Sequence, residues 1–192
     1  MTVSPVPGVT LKTTTANSIH MRYAEIGPGA PGAPLVLFCH GWPESWYSWR
    51  HQLQAVSAAG FRCVAPDMRG YGGTQAPETI EHYTLFHLVG DMAELVKALG
   101  ETRAFIVGHD WGAPATYGAA LLAPDRWRRV VGMAVPPGAA LGAALVGNLA
   151  QLKRSWYMFF FQHPLSDLVV AANDLAYIDM LWADWSPGFD GG

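Results

Sequence analysis

Apolar positions along this chain fall into short continuous runs and into helical stripes, and the two kinds alternate. His20 to Glu25 (HMRYAE) switches between polar and apolar residues and predicts a half-buried strand. Leu35 to Cys39 (LVLFC) is uniformly apolar, as a strand covered on both faces must be. Residues 46–58 read as a helix closed by Gly60, and Phe61 to Ala65 (FRCVA) as the next strand. Between 82 and 99, Leu85, Leu88, Val89, Met92, Leu95, Val96 and Leu99 recur at helical spacing, with Gly100 as the stop. Ala104 to Val107 (AFIV) predicts a strand, 112–122 a helix, and Val130 to Val135 a closing strand. GPGAPGAP at 27–34 reads as a turn, and Pro66 to Pro77 as a long Gly-rich loop. Strands alternating with helices imply an α/β fold, a largely parallel sheet with helices on both faces.

After Pro137 the texture changes. GAALGAALVG is small and apolar, SWYMFFFQHP is aromatic, and Trp182 and Trp185 follow. The shift divides the chain into a core over 1–137 and a second layer or lid over 138–192. No internal repeat shows. Gly138 and Gly142 have G-x-x-x-G spacing, but outside the apolar 20-mer that would give it meaning.

Composition narrows the function classes. The 192 residues fit one domain with an appendage, and 51% hydrophobic residues can fill a core, which argues against disorder. A net charge of −3 gives no electrostatic basis for binding nucleic acid or an anionic membrane. Arg126, Arg128 and Arg129 read as a solvated corner between helix and strand. The longest uncharged stretch, 130–152, is interrupted by Pro136, Pro137 and Gly138, so no membrane span is expected. The opening MTVSPVPG has no basic region followed by an apolar run, and no secretory signal is expected. Cys39 and Cys63 each lie in a strand. They read as buried reduced thiols, which fits a cytoplasmic location, and they make neither a disulfide framework nor a metal site.

The chemistry centres on Gly108-His109-Asp110-Trp111-Gly112, between the AFIV strand and a helix. That is the setting of a nucleophile elbow, a sharp turn that lifts a nucleophile above the sheet edge. Flanking glycines permit the bend, and the helix N-terminus favours an anion there. An Asp restricts the reaction. A carboxylate attacking an acyl carbon gives an anhydride, whereas attack on an sp³ carbon gives an alkyl ester that water can open. Asp110 therefore points to alkyl electrophiles such as epoxides and alkyl halides. The competing reading is an Asp that only caps the helix. His40-Gly41-Trp42-Pro43 follows the LVLFC strand, and the strand alternation brings it to the same sheet edge as Asp110. The backbone amides of Trp42 and Trp111 are the expected oxyanion donors, with His40, Gly41, Pro43 and His109 in support. His51, His82 and His87 fall on helices. Arg69 and Tyr71 read as loop supports, and Trp46, Trp49 and Trp127 as packing. Neither G-x-S-x-G nor a phosphate-binding loop occurs.

HGWPESWYSWRHQ, PDMRGYGGTQAP and GHDWGAP together resemble the epoxide hydrolases of the α/β-hydrolase fold, over about 18–137 and on into the cap. The resemblance implies opening of a hydrophobic epoxide to a vicinal diol, with no cofactor. It also implies that Tyr157, ahead of the Phe-Gln-x-Pro element, donates a proton to the leaving oxygen, with Tyr177 as a weaker alternative. Haloalkane dehalogenases share the GHDWG elbow, but their HG loop usually continues with Asn or another polar residue, where this chain has Trp42. In that alternative the Trp111 indole would bind halide. A hydrolase-fold binding protein without chemistry is the third reading.

The family also needs a water-activating His and an acid downstream of the nucleophile. The only His after Asp110 is His163, in the cap element, and Asp167, Asp174, Asp179, Asp184 and Asp190 are cap residues by position. The expectation is a sheet without its last two strands. A fragment of a longer reading frame, a natural short product and completion by another chain all fit. The exposed sheet edge would then favour association, and the 192-residue chain alone is not expected to turn over epoxide.

Overall fold

The computed structural model describes residues 4–28 and 32–188. Part of the 27–34 turn and Asp190 lie outside the described residues. The chain divides into two compact units, Met1–Gly138 and Ala139–Gly192.

The first unit is built on six strands in the order β1-β2-β4-β3-β5-β6. They are β1 (Thr10–Ala16), β2 (Ile19–Ile26), β3 (Leu35–Cys39), β4 (Arg62–Pro66), β5 (Ala104–His109) and β6 (Trp127–Met133). The last four run parallel, while β2 is antiparallel to both β1 and β4. Strand β1 is an addition to the strands that the sequence pattern marks. Its sequence TLKTTTA buries only Leu11 and Ala16, so no hydrophobic signal marks it. Its register comes from the turn. Asn17 and Ser18 both have positive φ, and Ala16 pairs with Ile19, the two-residue hairpin whose twist matches the strands.

Two helix boundaries also differ from expectation. Trp46–Trp49 is a 3₁₀ turn, with the Ser45 hydroxyl accepting from the Tyr47 amide at 3.2 Å, and α1 covers Arg50–Ala58. Likewise Ile80–Tyr83, which holds His82, is a 3₁₀ turn before α2 (Leu85–Ala98). Strand β6 lies earlier than the expected 130–135. Its pairing with β5 begins at Ala104 and Trp127, and Ala134, at φ 66°, turns the chain out of the sheet.

Alternation on β3 explains its uniform apolarity. Leu35, Leu37 and Cys39 pack in one buried cluster with Met92 and Val96 of α2 and Ala115 and Ala119 of α3 (Gly112–Leu122). Val36 and Phe38 pack in the other with Leu53 of α1, Trp46 and Trp49. Helices thus cover both faces of the sheet.

The Gly-rich loop after β4 is held by buried charge. The Asp67 carboxylate accepts from Arg22 Nε at 2.6 Å, the Gly73 amide at 3.0 Å and the Trp46 amide at 3.1 Å. Arg69 donates through Nε and a terminal nitrogen to Asp91 of α2 at 2.8 and 2.5 Å, and Asn17 Nδ2 adds a third bond at 2.8 Å. Arg69 is therefore the loop support that the sequence predicts.

The second unit is helical: α4 (Gly138–Gly147), α5 (Leu149–Arg154), α6 (Trp156–Phe160), α7 (Leu165–Ala171) and α8 (Ala176–Trp185). Ring contacts link its helices, with Tyr157 4.8 Å from Trp185 and Tyr177 5.4 Å from Phe160 between centroids. Among the described residues no helix is long and apolar enough to cross a membrane.

Cys39 and Cys63 are free and buried, and burial pushes both thiols up to about 12. At neutral pH each is a protonated, unreactive thiol. Iodoacetamide at pH 8 is expected to label neither cysteine in the folded chain and both in denaturant, with the count read by mass.

Candidate active site

Strands β3 and β5 lie side by side, with Cys39 opposite Gly108, so the loops leaving them emerge at the same level. One loop carries His40, Gly41, Trp42 and Pro43, and the other carries His109, Asp110 and Trp111. Three glycines let them approach. A Cβ on Gly41 would collide with the Asp110 Cβ, one on Gly108 with the Gly112 carbonyl and the Thr116 hydroxyl, and one on Gly112 with the Cys39 carbonyl. Asp110 has φ 50°, the left-handed conformation of a strand-to-helix elbow, and Ala113 donates to its carbonyl at 3.0 Å.

The Trp42 amide donates to Asp110 Oδ1 at 2.8 Å. Asp110 as a whole is partly buried. Trp42–Pro43 is a cis peptide bond. His40 is buried, and its Nε2 accepts from the Met68 amide at 2.9 Å. Its proton therefore sits on Nδ1, 2.8 Å from the Gly41 carbonyl. Burial holds the ring below the usual histidine range, outweighing the Gly41 carbonyl and the nearby carboxylates, so it stays neutral at pH 7. Tyr71 packs edge-on against it at 4.9 Å, its hydroxyl pushed up to about 12 by burial and, secondarily, by the charges of Asp110 and Glu44.

Glu44 is a residue that the sequence reading did not single out. Its Oε2 accepts from the Gly41 amide at 3.0 Å, and its Oε1 lies 3.5 Å from His109 Nδ1. Only its place three residues after Gly41, where a side chain can fold back on the turn, hinted at this. His109 is less enclosed than a packed support would be, with 37% of its side chain exposed. Trp111 is half-exposed.

A backbone amide on the carboxylate of a left-handed Asp, at the carboxyl end of parallel strands, is an arrangement of a known kind. The sequence model of the α/β hydrolase fold matches residues 34–174. The chain belongs to the α/β hydrolase fold family. Among curated α/β hydrolases it is 37% identical over 184 residues to an epoxide hydrolase of Caballeronia sordidicola, covering 96% of this chain and 52% of that protein. It is 41% identical over 150 residues to epoxide hydrolase A of Mycobacterium tuberculosis, covering 77% and 46%. A crystal structure of an epoxide hydrolase from Vigna radiata superposes with a TM-score of 0.77 at 35% identity, over 96% of this chain and 56% of that one. The chain spans about half the length of the curated relatives it matches.

In this member of the α/β hydrolase fold family the first unit brings together Asp110, Trp42, Trp111, His40, Gly41, Pro43 and His109. Tyr157 and Tyr177 belong to the second unit. Tyr157 lies on α6, and the hydroxyl of Tyr177 on α8 is buried with no hydrogen-bond partner among the described residues. His163 accepts from the Leu165 amide at 3.1 Å. Among the described residues no group of His, Cys, Asp and Glu is arranged to hold a metal ion.

Proposed function

We propose that this chain carries the nucleophilic half of an epoxide hydrolase acting on a hydrophobic epoxide. Asp110 Oδ2 attacks a ring carbon, and the carbon–oxygen bond of the ring breaks. Tyr157 gives the leaving alkoxide its proton, with Tyr177 the alternative donor. Phenol protons are retained at neutral pH, which suits a donor. The product of this step is an alkyl ester whose carbonyl oxygen is Oδ1. Water then adds to that carbonyl, and the charge that develops on Oδ1 is met by the Trp42 amide, with the Trp111 amide as second donor. One proton of the water returns to the Tyr157 phenolate and the other leaves with the second alkoxide as the tetrahedral adduct collapses, which releases the vicinal diol and restores the Asp110 carboxylate. The base that activates the water is not assigned to any residue of this chain.

One observation carries the reading. The carboxylate of a left-handed Asp110 is oriented by a backbone amide through one of its oxygens, in a chain whose relatives are epoxide hydrolases. Neither the haloalkane reading nor the silent binder is favoured by those relatives. The buried thiols fit a reducing, cytoplasmic compartment.

Intact-protein mass spectrometry after incubation with styrene oxide tests the proposal. A single covalent adduct is expected on the 192-residue chain and none on Asp110→Asn. An unmodified mass in chain shown to be folded would refute it.

A further inference from the structure

Gly41 sits where no side chain can, because a Cβ there would strike Asp110. A glycine is also the residue least able to hold its own backbone in one conformation. Yet the peptide that follows it carries the amide bonded to Asp110. Something else must fix that peptide.

The hydrogen bonds show what does. The Gly41 carbonyl accepts from the Glu44 amide at 3.1 Å and lies 2.8 Å from the protonated Nδ1 of His40. A trans peptide is planar, so a carbonyl held on one side aims the Trp42 N–H to the other, at Asp110 Oδ1. The preceding peptide is held as well, by the Glu44 carboxylate on the Gly41 amide at 3.0 Å. Glu44 therefore grips both peptides that flank Gly41, one with its backbone and one with its side chain. The same carboxylate faces His109, the neighbour of Asp110 on the other loop.

We propose that Glu44 is a positioning residue that sets the Trp42 amide on the Asp110 carboxylate, standing in for the side chain Gly41 cannot carry. Its bearing on catalysis rests on the proposed epoxide chemistry. Its effect on the amide does not.

The test measures amide hydrogen exchange by NMR on the full chain, together with the rate of adduct formation from styrene oxide. In Glu44→Ala the Gly41 amide, which loses its acceptor, is expected to exchange at least about tenfold faster, the scale of one lost hydrogen bond, and the Trp42 amide on the next peptide is expected to exchange faster with it. The amides of β5 should keep their protection. Glu44→Gln retains an oxygen acceptor for the Gly41 amide, and is expected to restore Trp42 exchange to within about twofold. Adduct formation should follow the same order. Glu44→Met, which fills similar volume without an acceptor, makes the comparison if the alanine variant does not fold. Unchanged Trp42 exchange in Glu44→Ala or Glu44→Met overturns the proposal, as does a Gln variant that behaves like Ala. If the parent chain forms no adduct, the epoxide reading fails while the exchange data still decide the role of Glu44.

Discussion

Gly112→Ala is expected to destabilise the first unit by more than about 3 kcal/mol and to abolish adduct formation at Asp110. The added methyl would overlap the backbone carbonyl of Cys39, and a backbone in the middle of a sheet cannot swing aside as a flexible side chain would. Cys39 is paired to Gly108, so pushing α3 away from β3 also separates the two loops of the site. Urea unfolding reads the effect as a lower midpoint at unchanged slope. Gly142→Ala is the contrasting case. It lies inside α4 with nothing within 4 Å of the added methyl, and there alanine should add about 0.5–1 kcal/mol to the helix. A Gly112→Ala chain as stable as its parent would mean that α3 does not lie as close to β3 as described.

The second large effect belongs to Arg69. Both it and Asp91 are buried, and Arg69→Met leaves a buried carboxylate with Asn17 as its remaining side-chain partner. Removing one member of such a pair costs about 3–5 kcal/mol, most of it the penalty of the uncompensated charge. Replacing both, as Arg69→Met with Asp91→Leu, should recover much of that loss because no charge remains to be desolvated. A double variant no better than Arg69→Met would show that the loss comes from loop packing instead. Thermal and urea denaturation of the three variants separates these outcomes.

What the sequence reveals follows from how locally each feature is encoded. Strands β3, β4 and β5 are legible because central parallel strands must be apolar on both faces. Strand β1 is not, because an edge strand of threonines buries too little to leave a pattern. The elbow and the HG loop are legible because glycines, Asp110 and the adjoining strands stand together in short segments. Glu44 is not, since its meaning depends on a histidine that meets it only through the pairing of β3 with β5. Asp91 reads as one more residue of an amphipathic helix until Arg69 and Asn17 close on it from two separate turns.

The neighbouring placement of β3 and β5 also has an entropic side. Trp42 and Asp110 are 68 residues apart in the chain, and joining the ends of a loop that long costs about 4 kcal/mol of chain freedom. The helices and β4 in between meet that cost by folding against the sheet, so the bond between the two loops inherits a closure already made. Doubling the intervening chain would add only about 0.6 kcal/mol. Surface insertions between the two loops can therefore lengthen the protein without moving Trp42 relative to Asp110.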